Sequence, residues 1–125
     1  MKQIITTDKA PAAVGPYSQA VKVNGLIFAS GQIPLDPQSG KLVEGDVRVQ
    51  TQRALTNLKN VLEAAGSGLD KVVKTTVFLN DIADFAPMNE VYKTFFTGDF
   101  PARCAFAVAA LPLGALVEVE AIACE

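Results

Sequence analysis

Residues 46–79 read DVRVQTQRALTNLKNVLEAAGSGLDKVVKTTVFL and place an amphipathic helix directly before a buried strand. Asp46 is a suitable N-cap for this helix, and Gly66 and Gly68 are placed to end it. The strand is predicted at residues 72–79, a run rich in β-branched residues. The apolar residues of the helix recur every three or four positions and define its buried face: Val47, Thr51, Ala54, Leu55, Leu58, Val61, Leu62 and Ala65.

On the N-terminal side of this unit, two short strand-like runs span residues 18–23 and 26–30. They flank Asn24-Gly25, which is the strongest short hairpin signal because a type I′ turn needs positive φ at both positions. We expect Gly31 to end the second run.

On the C-terminal side, a second helix is predicted to start at Asp84, with Pro87 in its first turn, where proline costs little. Two final strands are predicted at residues 104–110 and 116–123. The apolar stripe of the second helix consists of Phe85, Met88, Val91, Tyr92 and Phe95.

The element order is β-β-α-β-α-β-β, with a short extra strand expected near Ile4. This order predicts an α+β fold, one mixed β-sheet with two helices packed on one face, in a single domain over residues 1–125. Half of the residues are apolar, which is more than one core of this size needs. The surplus can fill a dry interior or cover subunit interfaces, and we favour an interface on the sheet face that lacks helices.

The composition excludes several kinds of site. The chain has no His, which excludes Ser-His-Asp and Cys-His nucleophile systems and the common imidazole metal sites. Its two cysteines, Cys104 and Cys124, form neither a metal-ligand pattern nor a disulfide framework. Any proton transfer must use carboxylates, Tyr, Lys, Cys, backbone groups or water.

Net charge is −2 and the isoelectric point is about 5.1, without a basic stripe, so a nucleic-acid partner is not expected. The N-terminal residues lack the apolar segment of a signal peptide, and no stretch approaches the length of a membrane span. We therefore expect a cytoplasmic protein that does not bind membranes.

Arg103 is the first candidate site residue, because it stands in front of a strand of small apolar residues. A guanidinium there offers a planar fork to a carboxylate or a phosphate. The alternative is an arginine at a strand end that extends into solvent or pairs with an acid across the sheet.

Glu118 and Glu120 are the second candidates, since their i, i+2 spacing on a strand places them on one face, opposite Val117 and Val119. If the valine face packs on the helices, both carboxylates lie on the uncovered face. At an interface they would be partly buried, with a raised pKa. Otherwise they are solvated surface charges.

The third candidates surround glycines: Tyr17 and Ser18 follow Gly15-Pro16, and Ser30 precedes Gly31. Glycine lets backbone N–H groups approach a small ligand closely. The alternative is a set of turns with a packed tyrosine. Asn89 is a further polar residue within a helical pattern, and a solvated position would also explain it.

Taken together, these segments resemble the reactive intermediate deaminase (Rid, or YjgF) family over essentially the whole chain. The presence of Arg103 makes the chain similar to the archetypal deaminating subfamily. The matching segments are Pro101-Ala102-Arg103-Cys104 with Leu111 and Val117-Glu118-Val119, Gly15-Pro16-Tyr17-Ser18-Gln19-Ala20, Ser30-Gly31-Gln32-Ile33-Pro34, Val73-Lys74-Thr75-Thr76-Val77-Phe78-Leu79 and Met88-Asn89-Glu90-Val91-Tyr92.

The resemblance implies a chorismate-mutase-like fold and a homotrimer with active sites in clefts between subunits. The implied activity is hydrolysis of enamines and imines such as 2-aminoacrylate to 2-keto acids and ammonia, without cofactor or metal, as in a 2-iminobutanoate/2-iminopropanoate deaminase. The family has also been associated with ribonuclease and chaperone-like activities. The acidic isoelectric point and the lack of His argue against a ribonuclease.

By resemblance, Arg103 binds the substrate carboxylate and Glu118 positions or activates the attacking water. Tyr17, Ser30 and Asn89 would line the cleft, with backbone contacts from Gly31. Many bacterial members carry a cysteine two residues after the arginine. This chain has Ala105 there and Cys104 one residue earlier, which on a strand points to the other face.

Such chemistry suits a chain without His. A protonated iminium is already a strong electrophile, so an oriented carboxylate and one base suffice. The competing hypothesis is a protein that binds small carboxylates or unfolded clients without turnover.

Overall fold

The computed structural model describes residues 1–125, in which two helices pack against one six-stranded sheet. The strand order is β1-β2-β3-β6-β4-β5; β4 and β5 are parallel, and all other neighbours are antiparallel. The predicted α+β fold with one mixed sheet is confirmed. The elements are β1 (Gln3–Ile5), β2 (Ala20–Val23), β3 (Leu26–Gln32), α1 (Val47–Ala64), β4 (Val72–Leu79), α2 (Phe85–Phe95), β5 (Ala102–Ala107) and β6 (Val117–Cys124).

The hairpin between β2 and β3 forms as the sequence predicts. Asn24 and Gly25 have φ values of 49° and 76°, which is the pair of positive angles that a type I′ turn requires.

The first helix begins where its capping residue predicts. The Asp46 carboxylate accepts hydrogen bonds from the backbone N–H groups of Arg48 and Val49, at 3.0 and 3.1 Å. The buried face of α1 then packs on the inner sides of β3 and β6. On β6 this inner side carries Val117, Val119 and Ala121, so the valine face does lie under the helices.

The sequence predicts that Gly31 ends β3, and this prediction is wrong. The strand continues to Gln32 through a β-bulge. Ala29 pairs with Ala121 and Gln32 with Val119, so Ser30 and Gly31 together lie opposite Glu120. A glycine within a strand pattern often marks a bulge, and here the register with β6 shows that it does. The strand predicted at residues 104–110 also lies earlier, as β5 at Ala102–Ala107.

The outer face of the sheet carries no helix and is largely apolar. Phe28 and Phe106 remain exposed there, and Phe78 and Phe106 meet edge to face with ring centroids 5.5 Å apart. Glu118 and Glu120 also point to this outer face, as their spacing predicted. None of the helices is both long enough and apolar enough to cross a membrane.

The cap of α1 gives a direct test of the local folding signal. Asp46→Ala should lower the free energy of unfolding by about 1 kcal/mol, because two N–H groups of the first turn lose their acceptor. Urea denaturation at fixed protein concentration measures the change. Asp46→Asn keeps an acceptor and should retain most of the stability; an equal loss in both variants would contradict the capping role.

Candidate active site

Arg103 lies on β5 and points to the helix side of the sheet, in register with Thr75 of β4. Its Nη1 donates a hydrogen bond to Oδ1 of Asn89 on α2, at 2.6 Å. Its guanidinium carbon lies 4.8 Å from the ring centroid of Tyr92 and 5.5 Å from that of Phe85. All these partners are neutral, so the positive charge of Arg103 is not paired within the chain.

A cavity of about 330 Å³ opens beside Arg103, at the small end of the range for ligand sites. Its cationic lining residues are Arg103 and Lys93, and it has no acidic one. The remaining lining residues are Asn89, Tyr92, Phe100 and Pro101. This arrangement favours a small anion.

Glu118 is half-buried on the outer face, next to the bulge of β3. Gly31 allows this approach: a Cβ at Gly31 would lie 2.9 Å from Cδ of Glu118 and closer still to Oε2. Gly31 is therefore needed for the carboxylate to occupy this position.

Burial raises the pKa of the Glu118 carboxyl above its ordinary value, and the nearby charge of Glu120 raises it further. A carboxylate with a raised pKa is a better proton acceptor near neutral pH than an ordinary glutamate.

Ser30 alternates with the buried Ala29 on β3 and so lies on the same side of the sheet as Glu118. The Ser30 hydroxyl donates to the carbonyl of Ser18 at 2.6 Å, and the Ser30 N–H donates to the carbonyl of Gln19 at 2.9 Å. These two bonds hold the segment after Tyr17 against the end of β3. The Tyr17 side chain is about half exposed.

The predicted site residues thus form two groups that do not meet in one chain. Arg103 and Asn89 lie on the helix side at the β5 edge, whereas Glu118, Gly31 and Ser30 lie on the outer side. Across β4, the register partner of Glu118 on β5 is Phe106, three residues beyond Arg103. Arg103 and Glu118 are therefore separated by two strand spacings of about 4.8 Å and by three residues of about 3.3 Å each along the strand. They also lie on opposite faces of the sheet.

The sequence pattern predicts Phe85 and Tyr92 only as members of the apolar stripe of the second helix. Their spacing from Asn89, at four residues before and three after, places all three on one side of α2, next to Arg103. Lys93 and Phe100 were not singled out. Cys104 points to the outer side, away from Arg103, as strand alternation predicted.

No group of three or more His, Cys, Asp or Glu side chains is arranged to hold a metal ion. The two groups offer a cationic fork whose direct contacts are neutral and a half-buried carboxylate beside the backbone of Gly31. Such parts can bind a carboxylate ligand and accept a proton from water.

The raised pKa of Glu118 predicts a pH-dependent effect on stability. The fold favours the protonated carboxyl, so its stabilising contribution is present at low pH and is lost as pH rises through the folded-state pKa. Glu118→Gln, which mimics the protonated form, should raise Tm near neutral pH, and the gain should vanish below about pH 4.

Thermal denaturation across pH measures this effect. Glu120→Gln is the matched control and should give a smaller gain, because it removes only the charge repulsion and leaves the burial of Glu118 unchanged. A lower Tm for Glu118→Gln near neutral pH would contradict the assignment.

The chain is similar to known proteins over nearly its whole length. The family model for endoribonuclease L-PSP matches residues 7–125. A mouse 2-iminobutanoate/2-iminopropanoate deaminase is 56% identical over 123 residues, covering 98% of this chain and 91% of the mouse protein.

Solved structures agree in fold. A putative endoribonuclease from Thermotoga maritima superposes with a TM-score of 0.97 at 51% identity, covering 100% of this chain and 98% of that one. TdcF from E. coli, solved with bound serine, superposes with a TM-score of 0.94 at 43% identity and 98% coverage of both chains. The chain therefore belongs to the endoribonuclease L-PSP family, which is the reactive intermediate deaminase (Rid, or YjgF) family that its motifs resemble.

Proposed function

We propose that the chain hydrolyses 2-imino acids and their enamine tautomers to 2-keto acids and ammonia, in sites that neighbouring copies form together. The observation that carries this proposal is Arg103, a guanidinium without an acidic partner at a small cavity. Similarity to the mouse deaminase over 98% of the chain supports the reaction.

The separation of the two residue groups supports a site shared between copies. Arg103 and Asn89 of one copy would face Glu118, Gly31, Ser30 and Tyr17 of the next. The apolar outer face, with Phe28 and Phe106 exposed, is the surface that a homotrimer would bury. The six-stranded sheet with its two helices acts as a single Rid-type domain in this assembly.

Arg103 binds the substrate carboxylate. One of its five N–H donors is bonded to Asn89, which leaves an edge of the guanidinium free for two parallel bonds to the carboxylate. This bidentate contact fixes the imine carbon relative to the rest of the cleft. Such orientation can contribute several kcal/mol, on the order of the effects measured for well-oriented reactants.

Glu118 activates water. Its carboxylate accepts a proton as water attacks the iminium carbon, which gives a tetrahedral carbinolamine. Glu118 then returns this proton to the nitrogen. As the C–N bond breaks and ammonia leaves, the carboxylate takes the proton of the carbinolamine hydroxyl while the C=O bond of the keto acid forms, and it passes that proton to the released ammonia. General-base assistance of this kind contributes about 10²–10⁴-fold.

The remaining residues complete the cleft. The backbone at Gly31 and the side chains of Tyr17 and Ser30 would contact the substrate or the attacking water. Water is the only co-reactant that the hydrolysis requires, so the proposed reaction is independent of cofactor and metal. We place the activity in the cytoplasm.

A coupled assay separates turnover from binding. An amino acid oxidase generates the 2-imino acid, and semicarbazide traps the imine that remains. A deaminase suppresses the semicarbazone signal at catalytic concentrations of protein, whereas a protein that only binds carboxylates leaves it unchanged. RNA decay that persists in Arg103→Ala after removal of contaminating nuclease would support a ribonuclease instead.

Arg103→Ala should abolish suppression of the semicarbazone signal while leaving the circular dichroism spectrum unchanged. Arg103→Lys should be nearly as inactive, because an ammonium group cannot make two parallel bonds to one carboxylate. Arg53→Ala is the matched control, since the guanidinium of Arg53 donates its hydrogen bonds to Asn57 within α1 and does not line the cavity. Parental turnover by Arg103→Ala would overturn the site assignment.

A mixing experiment tests the shared site. Arg103→Ala and Glu118→Gln chains, each inactive alone, are unfolded and refolded together in equal amounts. If each site takes Arg103 from one copy and Glu118 from the next, about one quarter of the sites are intact and activity recovers accordingly. Refolding Arg103→Ala with the double variant is the control without recovery. No recovery in the test mixture would show that both residues act within one copy.

A further inference from the structure

A buried hydroxyl pair lies directly beneath Arg103. The Tyr92 hydroxyl and Oγ1 of Thr75 are 2.7 Å apart, with Thr75 fully buried and Tyr92 only 4% exposed. The face of the Tyr92 ring lies against the Arg103 guanidinium. We propose that Tyr92, anchored by Thr75, is a positioning residue that fixes the plane of the Arg103 guanidinium. The inference rests on the proposed role of Arg103.

Arg103 needs such a support because a long arginine side chain has many rotamers. The bond to Asn89 fixes one nitrogen but leaves the guanidinium free to rotate about that contact. The Tyr92 ring, whose centroid lies 4.8 Å from the guanidinium carbon, restricts this rotation, since the cation and the face of the ring attract each other. Asn89 and Tyr92 together define both the position and the plane of the fork.

The support is neutral, which suits a residue that must bind an anion. An acidic residue at the position of Tyr92 would hold Arg103 more strongly, but it would also occupy the N–H donors that a substrate carboxylate needs. The ring contacts the guanidinium without accepting a hydrogen bond from it, so the N–H donors that are not bonded to Asn89 stay free.

Thr75 explains how the ring itself is held. A buried tyrosine hydroxyl requires a partner, and Thr75 supplies one from β4, the strand next to Arg103. On its other side, Tyr92 packs against Phe96 with ring centroids 4.7 Å apart. Phe96 is equally buried but has no cation–π contact with Arg103.

This difference supplies a matched pair of variants. Tyr92→Leu removes the stacking surface, and Phe96→Leu removes a neighbouring ring of the same cluster. Tyr92→Leu should raise both KM for a small 2-imino acid and the inhibition constant of 2-oxobutanoate about tenfold, with a smaller effect on kcat. Phe96→Leu should lower Tm comparably but change both constants less than about twofold.

Conservative variants separate the contribution of the Tyr92 ring from that of its hydrogen bond to Thr75. Tyr92→Phe keeps the ring and loses the anchor, so it should weaken 2-oxobutanoate inhibition about threefold. Thr75→Val should have a similar effect, and Thr75→Ser, which keeps a hydroxyl, should restore most of the affinity.

A spectroscopic measurement applies even if Tyr92→Leu does not fold. The chain has three arginines, Arg48, Arg53 and Arg103, so its side-chain Nε–H signals can be assigned by substitution. In the parent protein the Arg103 signal should be shifted upfield by the Tyr92 ring, and Thr75→Val should reduce this shift.

Equal constants in Tyr92→Leu and Phe96→Leu would overturn the inference. So would an unshifted Arg103 signal together with indistinguishable inhibition in Thr75→Val and Thr75→Ser. Parental activity of Arg103→Ala is a different failure, because it removes the role of Arg103 itself. An inactive Arg103→Ala with unaffected Tyr92 and Thr75 variants removes only the positioning role.

Discussion

Side-chain alternation along a strand governs where every charge of the proposed site can lie. On β6 the inner positions are valines and alanines under α1, so Glu118 is forced to the outer face. On β5 the position paired with Thr75 is Arg103, which is forced to the helix side. One sheet therefore presents its cation and its carboxylate on opposite faces. A ligand small enough for the cavity beside Arg103 cannot contact both within one chain.

The same alternation connects assembly with chemistry. The outer face that carries Glu118 is also the apolar face that a neighbouring copy would cover. Covering it would exclude water from Glu118 and keep its pKa raised, because burial is already the larger cause of that rise in the isolated chain. Association would therefore bring Arg103 of one copy to Glu118 of the next, and it would also keep the pKa of Glu118 raised.

Local sequence signals predicted those parts of the fold that depend on local physics. The Asn24-Gly25 turn, the Asp46 cap and the valine face of β6 all form as expected, because each depends on residues a few positions apart. The bulge at Ser30 and Gly31 was missed because it depends on the register between β3 and β6, which are distant in sequence. The bulge matters, since it places Gly31 where Glu118 can approach it.

The candidate site was predictable only residue by residue. Arg103 and Glu118 each stood out against apolar neighbours, but their separation depends on β4 lying between β5 and β6, a strand order that no local pattern encodes. The contact of Tyr92 and Thr75 with the site could not be predicted from the sequence for another reason. An aromatic residue in a helical stripe and a threonine in a β-branched run have the composition of an ordinary core. Only the folded structure shows that this part of the core lies next to the Arg103 guanidinium.

The neutral contacts of Arg103 also suit the proposed binding of an anionic substrate by a chain without His. Asn89, Tyr92 and Phe85 hold the guanidinium without neutralising it, so its charge remains available to a substrate carboxylate. An acidic partner would have stabilised the isolated chain more, but it would have occupied the N–H donors of Arg103 that a substrate carboxylate needs. Because the iminium carbon is already electrophilic, the remaining task is to place it beside a water molecule and one carboxylate. In the proposed site, a fixed fork on one copy and a half-buried Glu118 on the next would perform that task with no imidazole group.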